Sequence, residues 1–233
     1  MKPILYILTT LFLLSSCQQE SHLLPEEAGK GYLSLSSIEL QTETIRPVST
    51  RAVSPDLTIE IVKEDGTTVA KYEAGAAEAS EKIELEAGIY KLKAYSPNYG
   101  TTWTNDEKGE PIYYKEQDFT IEAEKVRYLT VQVPMVNFGV RLLLPDNFNT
   151  WFSSYLFSVQ MDNRNVTLQN GETAYFAPVP ETSISFQYAL SATNADDEAL
   201  SQISNYSDIA GGTIYEITYS MLTRSLMLRS YKR

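Results

Sequence analysis

From Gly31 onward the apolar residues of this chain recur at every second position. Leu57, Ile59 and Ile61 alternate with Thr58 and Glu60. That period of two puts one face of an extended chain toward a core and the other toward water. Asp65-Gly66 is a two-residue turn signal, and residues 69–72 read as the returning strand of a hairpin. Ile83-Glu84-Leu85-Glu86 alternates again, Ala87-Gly88 turns, and Tyr90, Leu92 and Ala94 alternate with Lys91 and Lys93 in a second expected hairpin. Leu33, Leu35 and Ile38 begin the series. Phe119 and Ile121 are read as the start of a strand, and residues 128–133 form another that stops at Pro134.

The second half repeats this grammar. Strands are expected over 138–144, ended by Pro145, then over 156–161, 166–168, 174–176 and 184–190. Asn170-Gly171 marks a turn, and residues 214–219 and 225–231 close the chain as a hairpin. Only residues 196–203 invite a helical turn. Short strands at regular spacing, broken by Gly, Pro, Asn and Asp, predict an all-β chain of two sandwiches in tandem, 31–136 and 137–233. The expected core includes Leu57, Ile59, Ile61, Leu85, Tyr90, Leu92, Val131, Val140, Leu142, Phe186 and Tyr188. Tyrosine is abundant, at 16 residues. Its apolar ring and wet tip suit thin sandwiches, so the count alone implies no site.

The first 30 residues do not share the pattern. Lys2 is the one charge before an apolar run from Ile4 to Leu14, too short to span a bilayer as a helix. The run ends in Leu13-Leu14-Ser15-Ser16-Cys17, which resembles a bacterial lipobox. This implies a signal over 1–16, cleavage before Cys17 and lipid on its thiol, with residues 17–30 as a tether. Acyl chains on the cysteine supply the two-part anchor that stable membrane attachment needs. The expected localisation is the outer membrane, facing the cell surface, with the membrane as a partner through Cys17.

Composition narrows the chemistry. Cys17 is the only cysteine, so an acylated chain keeps no thiol for disulfides, thiolate metal sites or nucleophilic catalysis. His22 is the only histidine and lies in the tether, away from any strand that could hold it for a triad or a zinc site. A net charge of −11 opposes nucleic acid. Asn194, Asp196, Asp197 and Glu198 gather oxygens but lack the glycine-bearing loop of a calcium site. Glu84, Glu86, Glu122 and Glu124 fall at strand spacing and read as a solvated face. No cofactor, metal or enzymatic activity is expected. The segment from Tyr95 through Tyr99 to Trp103, leading on to Tyr113 and Tyr114, is the candidate binding surface. Rings beside Asn and Thr on a loop can stack on sugar rings and hydrogen-bond their hydroxyls.

Three features together carry a resemblance. They are the lipobox followed by a strand opening Gly31-Tyr32-Leu33-Ser34-Leu35, the loop Thr50-Arg51-Ala52, and the run from Ile83 through Gly88-Ile89-Tyr90 to Ala94. In these the chain resembles the fimbrillin-related lipoproteins of Bacteroidetes, in particular an uncharacterised domain-of-unknown-function family from gut species. The resemblance implies transthyretin-like or immunoglobulin-like sandwiches and a structural or adhesive role. It also implies maturation by a protease cutting after an arginine that follows the first strand. That strand would leave and a strand of another fimbrillin-like subunit would fill the groove. The matching position is Arg51-Ala52; Arg46 is a poorer one because Pro47 follows it. Leu226, Met227 and Leu228 would be the donor strand, or would complete the second sandwich. The alternative reading is a surface lipoprotein binding a glycan or other ligand through its aromatic loops.

Replacing Cys17 by Ser should release the protein from membranes or leave the precursor uncut. Fractionation and intact mass measure this; a variant still fully membrane-bound at the processed mass overturns the lipobox reading.

Overall fold

The computed structural model describes residues 29–40, 57–76, 82–177 and 184–232. Cys17, His22, Arg46, Arg51 and Ala52 lie outside them. The first half contributes β1 (Lys30–Leu40), β2 (Thr58–Lys63), β3 (Thr68–Tyr72), β4 (Lys82–Glu86), β5 (Gly88–Tyr95), β6 (Tyr114–Ile121) and β7 (Val126–Val133). These form two sheets, ordered β4-β1-β7 and β3-β2-β5-β6. The second half contributes β8 (Gly139–Leu143), a single helical turn α1 (Phe148–Trp151), β9 (Phe152–Met161), β10 (Arg164–Leu168), β11 (Thr173–Tyr175), β12 (Phe186–Asn194), β13 (Ala199–Tyr206), β14 (Thr213–Ser220) and β15 (Ser225–Lys232). Its sheets are β11-β8-β14-β15 and β10-β9-β12-β13. The chain is nearly all β and builds two sandwiches, as its alternation predicts.

The sandwiches repeat one another. Each strand of the first has a counterpart seven strands later in the same sheet position. Both repeats contain one parallel pair, β1 with β7 and β8 with β14, among antiparallel neighbours. The second adds β15 to the outer edge of β14, completing the expected closing hairpin.

Strand pairing corrects three sequence expectations. The run 83–94 is not a hairpin: β4 pairs with β1, whereas β5 pairs with β2 and β6. At Ala87 the chain crosses from one sheet to the other, so that Leu85 and Tyr90 enter the same core from opposite sides. The Tyr90 hydroxyl closes this corner by donating to the Glu86 carbonyl at 2.9 Å. Residues 196–203 are not helical; β13 pairs with β12 from Ala199 to Tyr206. Its even-numbered Leu200 and Tyr206 pack against the second core, and that two-residue period outweighs the helical propensity of Asp-Asp-Glu-Ala-Leu. Phe119 and Ile121 end β6 rather than beginning it. The Asp65-Gly66 hairpin between β2 and β3 is present, with Gly66 at φ +87° as its turn requires.

All eleven residues expected in the core are buried. The first core also takes in Tyr175 and Ile214 from the second half, so the two cores meet at a shared seam. At the centre of the second, Phe138 has no exposed surface and stacks on Phe176 at 5.3 Å and Phe186 at 5.8 Å, with Tyr215 edge-on at 6.0 Å. Phe138→Ala should therefore lower stability by about 3–5 kcal/mol, read as a shift in the urea midpoint. A loss below about 1 kcal/mol would contradict this packing.

Candidate functional site

The long connection from Tyr95 to Tyr114 leaves β5 and returns as β6, and its two ends are paired neighbours. Its first part folds back on the first sandwich. Ser96 and Tyr113 exchange hydrogen bonds, the Tyr113 amide donating to Ser96 Oγ at 3.0 Å and the Ser96 amide to the Tyr113 carbonyl at 3.0 Å. The Asn98 side chain donates to the Pro111 carbonyl at 3.1 Å, and the Tyr99 amide donates to the Ser96 carbonyl at 2.9 Å. This tight turn swings the Tyr99 ring onto Tyr114, parallel within 7° at 4.3 Å. Tyr95 leans against Tyr99 at 5.8 Å. Three rings from two strand ends and a turn thus form one surface stack, with Tyr99 42% exposed.

The second part of the connection crosses to the second sandwich and is fastened there. Asn137, fully buried, accepts from the Ile112 amide at 2.8 Å and donates to the Glu110 carbonyl at 3.0 Å. Its own carbonyl accepts from the Gly212 amide at 2.8 Å. Asp106 donates its amide to the Asn165 carbonyl at 2.9 Å, and the Asn165 amide returns a bond to Asn105 Oδ1 at 2.9 Å. The loop is thus fastened along the edge of β10 by one backbone bond and by the side chains of Asn105 and Asp106.

Arg164, at the start of β10, holds the tip of this strap. Its guanidinium lies 4.7 Å from the Phe176 ring centre and 5.7 Å from that of Trp103. It donates to the carbonyls of Thr104 at 3.2 Å, Tyr175 at 2.5 Å and Glu107. Burial pulls its pKa below the ordinary guanidinium value, and Glu107 partly opposes this. Glu107 in turn accepts from the Thr104 amide and hydroxyl, which holds its carboxyl below the usual range. The strap passes so close to Trp103 that only glycine fits at 109. A Cβ there would lie 2.8 Å from the indole and 3.0 Å from the Tyr175 carbonyl, at a φ of +67°. Beside Trp103 and Arg164 is a shallow open pocket of about 390 Å³, lined also by Asn105, Asp162 and Asn163.

The five aromatic residues singled out in the sequence therefore separate. Tyr95, Tyr99 and Tyr114 come together. Trp103 is packed between Gly109 and Arg164 in the strap, and Tyr113 belongs to the first core. Sequence reasoning missed Arg164 and Asn137, because each acts through backbone carbonyls and amides far away in the chain, which leave no side-chain pattern to read. Asn194 uses its side-chain oxygen on the amides of Asp196 and Glu198 at 3.0 and 2.7 Å, closing the turn before β13.

Residues 29–226 match the family described as domain of unknown function DUF4493, and the chain belongs to that family. A search of curated proteins finds no match. Among solved structures, a candidate cell adhesion protein from Bacteroides uniformis is similar at a TM-score of 0.51 and 15% identity, over 88% of this chain and 99% of that one. A fimbrial assembly protein from Parabacteroides distasonis gives a TM-score of 0.48 and 9% identity, over 86% and 98%. A candidate polysaccharide binding protein from Bacteroides thetaiotaomicron gives 0.43 and 9%, over 88% and 98%.

The tyrosine stack sets an alkaline limit on the fold. Tyr114 ionises well above the ordinary phenol range, first because it is partly buried and then because its hydroxyl bonds the Glu116 carboxylate. Burial raises Tyr90, Tyr95, Tyr215 and Tyr219 as well. These groups are held neutral in the folded state, so their contribution is complete below the unfolded value of about 10 and is lost as pH rises through the raised folded values. The melting temperature should fall from about pH 10 upward, read by thermal unfolding followed in the far-UV across that range. In Tyr114→Phe the alkaline decline should be shallower; an unchanged slope would exclude Tyr114 as a contributor.

Proposed function

We propose that this chain is a non-enzymatic lipoprotein of the outer membrane, displayed at the cell surface, with a structural or adhesive role and a first strand open to exchange. The position of β1 carries this reading. It is the middle strand of β4-β1-β7, registered against five residues of β4 and eight of β7. Leu33 and Leu35 reach into the first core. If β1 left, both neighbours would lose a ladder and an apolar groove would open between Ile83, Leu85, Leu129 and Val131. Unpaired backbone beside an apolar groove favours capture of another strand. Arg51-Ala52 fall between β1 and β2 in sequence, so a cut there would free β1 from the rest of the chain.

The C-terminal strand supports an acceptor or capping role over a donor role. β15 pairs with β14 along its whole length, and Leu226 and Leu228 pack on the second core. No helix among the described residues is long and apolar enough to cross a membrane, and attachment through Cys17 fits that observation. A second reading, a surface lipoprotein binding a glycan, is favoured by the Tyr95–Tyr99–Tyr114 stack. The exposed Tyr99 ring can receive the C–H face of a sugar.

Limited trypsin on the intact chain tests the choice. Arg141 lies within β8 and is protected by its ladders to β11 and β14. Cleavage should come first at Arg51, and cleaved protein should form higher oligomers by size exclusion while Arg51→Ala protein stays monomeric. Cleaved protein that remains monomeric with residues 31–40 attached would reject strand exchange and leave the glycan reading.

A further inference from the structure

We propose that a second copy of this chain packs face to face on the outer surface of the sheet β10-β9-β12-β13. This does not depend on Arg51 or on departure of β1, and it uses the opposite sandwich.

The register defines that surface. Leu156, Ser191 and Ser201 lie side by side across β9, β12 and β13, as do Ser158, Ala189 and Ile203 one row along. The outward positions of all four strands are Ser, Thr, Asn, Gln and Ala, with two aliphatic residues, Leu156 at 56% exposure and Ile203 at 63%. None is charged. The matching sheet of the first sandwich shows that the fold does not impose this. There the outward positions include Glu60, Lys91, Lys93, Glu116 and Asp118, with Lys91 and Glu116 paired at 2.9 Å. One repeat has a charged, solvated face and the other an uncharged one.

Charge also identifies the occupant. At −11, two copies carry a net repulsion. A neutral sheet face is where they can meet without placing like charges in contact. Its hydroxyls and amides each donate and accept, so two such faces can satisfy one another across a two-fold axis. Small side chains let two sheets approach to about 10 Å. The acidic residues Asp162, Asp196 and Asp197 lie in the turns bounding the face, giving the neutral centre and polar rim of protein interfaces. Four strands about 4.8 Å apart and some eight residues long offer roughly 500 Å² per copy. That totals about 1,000 Å², the lower limit for a specific contact, and describes a weak dimer favoured by crowding on a membrane.

The native chain has one cysteine, at 17, which makes thiol cross-linking on the full-length membrane protein clean. Ser191→Cys, central on the face, should give a dimer of twice the mass with a thiol cross-linker of about 10 Å reach. Lys91→Cys, on the charged face, should not, and the unsubstituted chain reports any background from Cys17. Adding salt should raise the dimer yield, because screening weakens the repulsion between copies. Adding Leu156→Asp and Ile203→Asp should cut the yield at least about tenfold, since a desolvated carboxylate costs more than a weak interface supplies. Both are exposed positions, so the sandwich itself should fold. No dimer from Ser191→Cys, equal yields from Ser191→Cys and Lys91→Cys, or a dimer that survives the two aspartates would each overturn the proposal.

Discussion

The Arg164 guanidinium makes one body of two sandwiches. It is a cation held by backbone carbonyls and aromatic rings, and among the described residues no carboxylate forms an ion pair with it. A carboxylate partner would have been free to take the charge to solvent; carbonyls of Thr104, Glu107 and Tyr175 exist in this arrangement only when the strap lies across β10. The arginine therefore reads the path of the chain rather than the charge of a neighbour. Asn137 does the same at the seam, matching one amide and one carbonyl of the strap and one amide of the loop before β14. Buried polar groups of this kind are costly if any member is missing, so they select one relative placement of the cores.

The internal repeat explains why a strap is needed. Each sandwich has the same seven-strand order and a core of its own, and Tyr175 and Ile214 of the second reach into the core of the first. Residues between β5 and β6 in the first repeat become the strap, whereas β12 and β13, their counterparts, are joined by the short turn that Asn194 closes. The repeats differ in their connections and outer faces while sharing one strand order. Function is to be sought in those differences: the tyrosine stack, the strap, the uncharged sheet and β15.

Much of the fold was legible in the sequence because burial on one side of a strand imposes a period of two, and that period is local. The eleven core residues came from it directly. The pairing of strands was less legible. Ile83 to Ala94 has the apolar spacing of a hairpin, yet an arch between sheets needs the same spacing, since in both cases alternate side chains face one interior. The acidic run before Leu200 carries helical propensity, and only the partner β12 decides against it. The candidate site was half legible. Aromatic residues on a loop mark a surface worth inspecting, but whether a ring meets solvent depends on what lies across it. For Trp103 that is Arg164, 61 residues away in the chain, and for Tyr113 it is the first core.

The parallel pairing of β1 with β7 has a mechanical meaning. β1 enters at Lys30 and runs toward the second sandwich; β7 runs the same way and continues within a few residues into β8. Tension between the chain before Gly29 and the second sandwich pulls β1 backward and β7 forward along their common axis. The ladder is then loaded in shear, and its hydrogen bonds share the force instead of parting one at a time. While the chain is whole, β1 is thus oriented to bear a pull along its own axis.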